Sequence, residues 1–226
     1  MKKFELISEF VTNVFGKKLF RIKALVSFGD VSAGELGGFV EKEENLSNNG
    51  NAWVSGNARV SGDALVYGDA LVYGDAWVSD NARVSGNARV SGNAQVSDNA
   101  WVSGNARVYG DARVSGNARV SGNARVYGDA WVSDNARVSG NARVSGDADF
   151  SVVTGFGRCF RATTFFRCKD KIIRVQCGCF YGDLAQFREI VKKTHGDSKY
   201  AKEYLAIADL MELHFSDEEE NQEAAK

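Results

Sequence analysis

Asn81-Ala82-Arg83-Val84-Ser85-Gly86-Asn87-Ala88-Arg89-Val90-Ser91-Gly92 is two copies of one six-residue unit, and that unit decides the fold. The consensus Asn/Asp-Ala-Arg-Val-Ser/Tyr-Gly runs without insertion from Asn51 to Gly146, sixteen copies in all. Asp147–Val152 reads as a degenerate seventeenth that ends the array. A six-residue period is a β-helix signature. Within each unit Ala, X, Val and Ser alternate sides, the period of a strand. Ala52 and Val54 face one way and Trp53 and Ser55 the other. A small residue beside a β-branched one suits a narrow, close-packed interior. The Gly-Asn or Gly-Asp step is a turn, because glycine takes positive φ and Asn or Asp tolerates it. Four strand residues and two turn residues make one side of a prism. Three sides make an 18-residue coil, and successive coils pair as parallel strands about 4.8 Å apart.

The composition agrees with this reading. The 226 residues include 24 glycines and no proline. Proline cannot donate to a sheet ladder, and thirteen of the glycines occupy one corner position of the unit. Apolar residues at 44% supply a core and exclude general disorder. No apolar run approaches the ~20 residues of a membrane span, so no membrane partner is expected. The formal net charge is -1 and each part of the chain is close to balanced, so no segment is a basic nucleic-acid arm or an acidic mimic of nucleic acid, and a nucleic-acid partner is not expected. Met1-Lys2-Lys3-Phe4 is not followed by a signal-peptide pattern, which points to the cytoplasm and to reduced cysteines.

Stacking every third unit sorts the outward residues into columns. Face one carries Trp53, Leu71, Arg89, Arg107, Arg125 and Arg143, beside Ser55, Tyr73, Ser91, Tyr109, Tyr127 and Ser145. Face two carries Arg59, Trp77, Gln95, Arg113, Trp131 and Asp149, and face three Leu65, Arg83, Trp101, Arg119 and Arg137. Face one is the most uneven, and its Arg89, Arg107, Arg125, Arg143, Tyr73, Tyr109 and Tyr127 are the candidate binding residues. Arg and Tyr are the residue types enriched at binding hot spots, and a lattice of them holds anionic groups or a partner protein. A solvated face with arginines stacked over tyrosines is the plain alternative. Arginines one rung apart repel, so the corner aspartates are expected to supply counter-charge. Asp replaces the corner glycine at Asp80, Asp98 and Asp134, all after face two. Stacked carboxylates are a Ca²⁺ pattern, and Asp is also an ordinary turn residue. The four tryptophans are expected to point outward as plugs over the Ala-Val wall.

The flanks read differently. Residues 1–50 are N-terminal strands and a β-helix cap, with strands at Phe4–Ile7 and Leu19–Val26 around a turn at Phe15–Lys18. Solenoid ends need such a cap. Residues 153–215 form a small ββαα module. Thr163–Cys168 and Ile172–Cys177 make a hairpin. A helix from Leu184 to Thr194 opens on a capping box at Asp183 and Gln186 and stops at Gly196, and a second runs from Ser198 to about His214. Residues 216–226 are an acidic tail. Cys168, Cys177, Cys179 and His195 are the metal-ligand candidates. The spacing lacks the Cys-x-x-Cys knuckle, and Cys177 and Cys179 on one strand face fit burial better. No metal or other cofactor is assigned.

The Ala and Val spacing resembles the left-handed parallel β-helix of the hexapeptide-repeat family, and the left hand comes from that resemblance. The fold class is therefore mainly β: a left-handed parallel β-helix over 51–152 with an N-terminal β cap and a small C-terminal α+β module. Well-known members are acyltransferases that use a histidine at a subunit groove, and many form trimers. Here His195 and His214 lie outside the coils, and no coil residue is a good general base. No catalytic residue is assigned. The segments GDVSAGELGGFVEKEENLS (29–47) and CGCFYGDLAQFREIVKKTHGDSKYAKEYL (177–205), with the NARVSG and DALVYG units between, resemble phage and prophage proteins of bacteria. That resemblance implies a non-enzymatic binding or scaffold protein in the host cytoplasm, with a bacterial host protein as partner and host-defence inhibition as a role. A homotrimer is the expected assembly. An acyltransferase-like enzyme and a sponge for small anionic or nucleotide ligands, held through the arginine ladder, stand beside it.

Overall fold

A computed structural model describes residues 2–146, 150–160, 162–167 and 172–216. Each repeat contributes a short strand at its X-Val pair, and strands 18 residues apart pair in parallel, as at Arg89 with Arg107 and Val90 with Val108. The same step links Trp77 to Gln95 and Trp101 to Arg119 on the other two faces. The regular strand is two residues rather than four, yet the ladder does not stop there. The corner also bonds to the next coil, as where the Asn87 N–H donates to the Gly104 carbonyl at 2.8 Å. The repeat Ala and Val side chains from Ala52 to Val138 are buried. The fold is a mainly β protein with a parallel β-solenoid, an N-terminal strand region and a small helical C-terminal module.

Corner side chains form ladders of their own. The Asn87 amide donates to Asn105 Oδ1 (3.2 Å), Asn105 to Asn123 (3.2 Å) and Asn123 to Asn141 (3.3 Å). On the corner after face one, Asn57 donates to Asp75 and Asn93 to Asp111. Asp80, Asp98 and Asp134 adopt positive φ in place of glycine. The Asp98 carboxylate accepts the Gly116 N–H on the next coil at 2.9 Å. Asp80 likewise accepts the Asp98 N–H, Asp134 accepts the Ser133 hydroxyl, and the described residues contain no His/Cys/Asp/Glu group able to hold a metal ion.

Three of the tryptophans share one contact on the outer wall. Trp77, Trp101 and Trp131 each donate the indole N–H to the serine sixteen residues earlier, Ser61, Ser85 and Ser115. Trp53 departs from the outward expectation, because the N-terminal segment covers it. It is 3% exposed and meets Phe28 edge-on at 5.4 Å.

That segment opens with strand β1 (Phe4–Thr12), antiparallel to β2 (Lys18–Ala24), which is antiparallel to β3 (Leu36–Val40). β3 then pairs in parallel with Arg59–Val60, so one continuous sheet passes from an antiparallel hairpin into face two. Leu46 bridges Val66 on face three. The first coil thus begins near Phe39, before the first recognisable repeat. Gly37 permits this entry: a Cβ there would lie 2.6 Å from the Val54 carbonyl oxygen.

Lys3 is drawn into the same junction. Its ammonium donates to the Ala52 carbonyl at 2.8 Å and lies 4.6 Å from the Phe28 ring centroid. Burial pulls its pKa down to about 8, with the Asp69 charge acting in the opposite sense. The unfolded chain therefore holds a proton that the folded chain has released between about pH 8 and the ordinary lysine value of 10.5. Stability rises with pH across that window. We expect urea midpoints of the wild type to gain on those of Lys3→Met between these limits, and parallel profiles would refute the burial effect.

The chain divides into two compact units, Met1–Asn141 with Ser145–Asp147, and Ala142–Val144 with Ala148–Lys226. In the second unit Phe150–Val153, Thr163–Arg167, Ile173–Cys177 and Phe180–Asp183 form an antiparallel meander. Phe150–Val153 is thus a strand of this sheet, not a coil side as the repeat arithmetic suggests, and the module has two strands more than the expected pair. Helix α1 (Leu184–His195) starts on the capping box of Asp183 and Gln186 and ends at Gly196. Helix α2 (Lys199–His214) starts on Ser198. Phe165, Val175, Phe187, Val191, Tyr204 and Met211 are at the centre of the core they share. No helix among the described residues is long and apolar enough to cross a membrane.

Candidate functional site

The parallel register fixes the columns of face one. Arg89, Arg107 and Arg125 occupy consecutive rungs, following Trp53 and Leu71. Beside them the backbone N–H groups of Tyr73, Ser91 and Tyr109 donate to Val90, Val108 and Val126 at 2.9–3.0 Å. The side chains therefore stand on a hydrogen-bonded frame rather than on a loop. Tyr109 and Tyr127 stack with centroids 5.2 Å apart and planes 7° from parallel. Ser91 carries no ring, and above it Tyr73, Arg89, Ser91, Arg107, Tyr109 and Arg125 enclose a notch of about 220 Å³.

The electrostatics of the notch differ from the expectation. The nearby corner carboxylates Asp75 and Asp111 accept from Asn57 and Asn93. Among the described residues, the guanidinium groups of Arg89, Arg107 and Arg125 make no salt bridge or hydrogen bond. Asp75 and Asp111 are held by asparagine amides rather than by arginines. Three guanidinium groups therefore converge on a concave, tyrosine-walled site whose lining holds no carboxylate. A permanently charged planar donor such as Arg grips carboxylate or phosphate through paired N–H groups.

The coil region is similar to the YdcK beta solenoid repeat. The model of that family matches residues 52–67, 64–80, 76–92, 82–98, 94–107, 100–116, 106–120, 118–134 and 136–148. All six residues that line the notch fall inside those matches. No curated protein matches the chain.

The remaining candidates sort as follows. Tyr127 extends the tyrosine column one rung past the notch. Arg143 lies in the short strand Arg143–Val144, which groups with the C-terminal unit. Cys168 lies outside the described residues. Cys177 and Cys179 do not share a strand face: Gly178, at φ 59°, and Cys179 form the turn between Cys177 and Phe180. Nor are they well buried, since Cys177 is half-buried and Cys179 exposed. They do line, with Cys159 and His195, an apolar cavity of about 250 Å³ in the C-terminal unit. His195 stacks there against Tyr204 at 5.8 Å. Sequence reasoning misses Ser91 and Cys159. The signal for Ser91 is present, as the interruption of a tyrosine column at an 18-residue step.

Proposed function

We propose that this chain is a non-enzymatic binding protein whose recognition face is the Arg–Tyr ladder of the solenoid. The observation that carries the reading is a row of three guanidinium groups on consecutive rungs, without counter-charge among the described residues, beside aromatic side chains held on a rigid frame. Ordering costs little when the donors are already in place, and unpaired charge of one sign selects a partner of the other. The resemblance to phage and prophage proteins supplies the setting: a bacterial host protein with an acidic surface, met in the host cytoplasm, with inhibition of a host defence system as the outcome.

Capture from bacterial lysate tests this. Arg107→Glu combined with Arg125→Glu is expected to reduce capture of the acidic partner at least tenfold. The matched reversal of Arg83 and Arg113, on the other two faces, should leave capture unchanged. Equal loss from both pairs would mean that only net charge matters, and retention in the first pair would remove face one from the interaction. Light scattering on the same samples reads the assembly, for which a trimer is the expectation from the hexapeptide-repeat resemblance. A second reading, capture of a small anionic ligand, is favoured by the concavity at Ser91.

A further inference from the structure

We infer that the notch at Ser91 is a slot for one planar aromatic ring carrying an anionic tail, the chemistry of a nucleoside phosphate. This rests on face one being the recognition surface and names what its concave part takes. The tyrosine column shows its own spacing: Tyr109 and Tyr127, on adjacent rungs, stack almost parallel at 5.2 Å. Tyr73 and Tyr109 are two rungs apart, about 9.6 Å by ladder geometry, with only the Ser91 hydroxymethyl group between them. The gap is one ring deep. A base entering it continues the stack with an aromatic neighbour on each side, and such stacking tolerates any base. Arg89 stands on the Ser91 rung, while Arg107 and Arg125 follow on the next two. A phosphate chain leaving the slot therefore runs along unpaired guanidinium groups. A smooth acidic protein surface uses the arginines but has no need of the vacancy.

Calorimetric titration with ATP, inorganic tripolyphosphate and adenosine at low ionic strength tests the slot. ATP is expected to bind at least tenfold more tightly than either control, because tripolyphosphate lacks the ring and adenosine the charge. Ser91→Tyr fills the gap with the residue that this column already carries at Tyr73, Tyr109 and Tyr127, so the coil is retained, and a thermal melt verifies it. That variant should lose at least tenfold in ATP affinity with tripolyphosphate binding unchanged. Absence of ATP binding, equal affinity for ATP and tripolyphosphate, or undiminished ATP binding by Ser91→Tyr each overturns the inference. Ser91→Tyr keeps all three arginines, so its capture of a protein partner is read separately. Loss of the slot leaves the broader reading standing, whereas charge reversal at Arg107 and Arg125 strikes both.

Discussion

Val102→Asp is expected to destroy the cooperative fold of the solenoid, with a loss of more than about 4 kcal/mol and most of the protein insoluble. Val102 is fully buried on face three, between Val84 and Val120 on the flanking rungs. Its surroundings are the Ala and Val of the same column, which offer a carboxylate no donor. An ionised group there has no partner, and a protonated one still lacks hydrogen bonds. The damage spreads because coils pack mainly on their neighbours: a break in the middle leaves two short stacks with open strand edges. Val102→Thr keeps the shape and adds one hydroxyl, and should cost about 1–3 kcal/mol. Soluble yield, far-ultraviolet circular dichroism and urea midpoints separate the two. A soluble, cooperative Val102→Asp would mean that the interior admits water.

The second large effect concerns a corner. Gly92 has φ +67°, and a Cβ there would lie 3.0 Å from the Gly110 nitrogen on the next coil. Valine at this position combines a left-handed conformation that β-branched residues resist with a close approach to backbone. Backbone strain and overpacking act together there, so Gly92→Val should cost about 2–4 kcal/mol. Gly92→Asp should cost far less. Asp98 holds φ 56° at an equivalent corner, and its carboxylate accepts the Gly116 N–H. Thermal melts of the two variants test the contrast, and equal losses would show that crowding alone, not φ, sets the requirement.

The coils are legible because one unit recurs: Ala-X-Val at a six-residue step determines the inward pair, and an 18-residue step assigns each arginine to a face. Repetition averages away local ambiguity, which is why the pairing of Arg89 with Arg107 follows from arithmetic. The same arithmetic fails where the unit decays. Gly38-Phe39-Val40 enters the first coil without the alanine, and Phe150–Val153 keeps the spacing while pairing antiparallel with another strand. Strand alternation misplaces Cys177 and Cys179 because one glycine at positive φ turns a strand into a hairpin. Helices α1 and α2 are legible from their caps, since Asp183, Gln186 and Ser198 act locally. For the candidate site, the columns can be read in the sequence but the counter-charges cannot. Whether Asp111 reaches an arginine or an asparagine depends on which side of a corner its side chain turns.

The asparagine series from Asn87 to Asn141 has a sense as well as a length. Asn105 and Asn123 each give an N–H toward the next coil and receive on the carbonyl from the one before, while Asn87 only gives and Asn141 only receives within the series. The amide dipoles therefore align head to tail, and each bond polarises the next. Along that edge the solenoid is an electrically oriented stack with a donor end and an acceptor end, so its two directions are chemically distinguishable even where the sequence of neighbouring coils is the same.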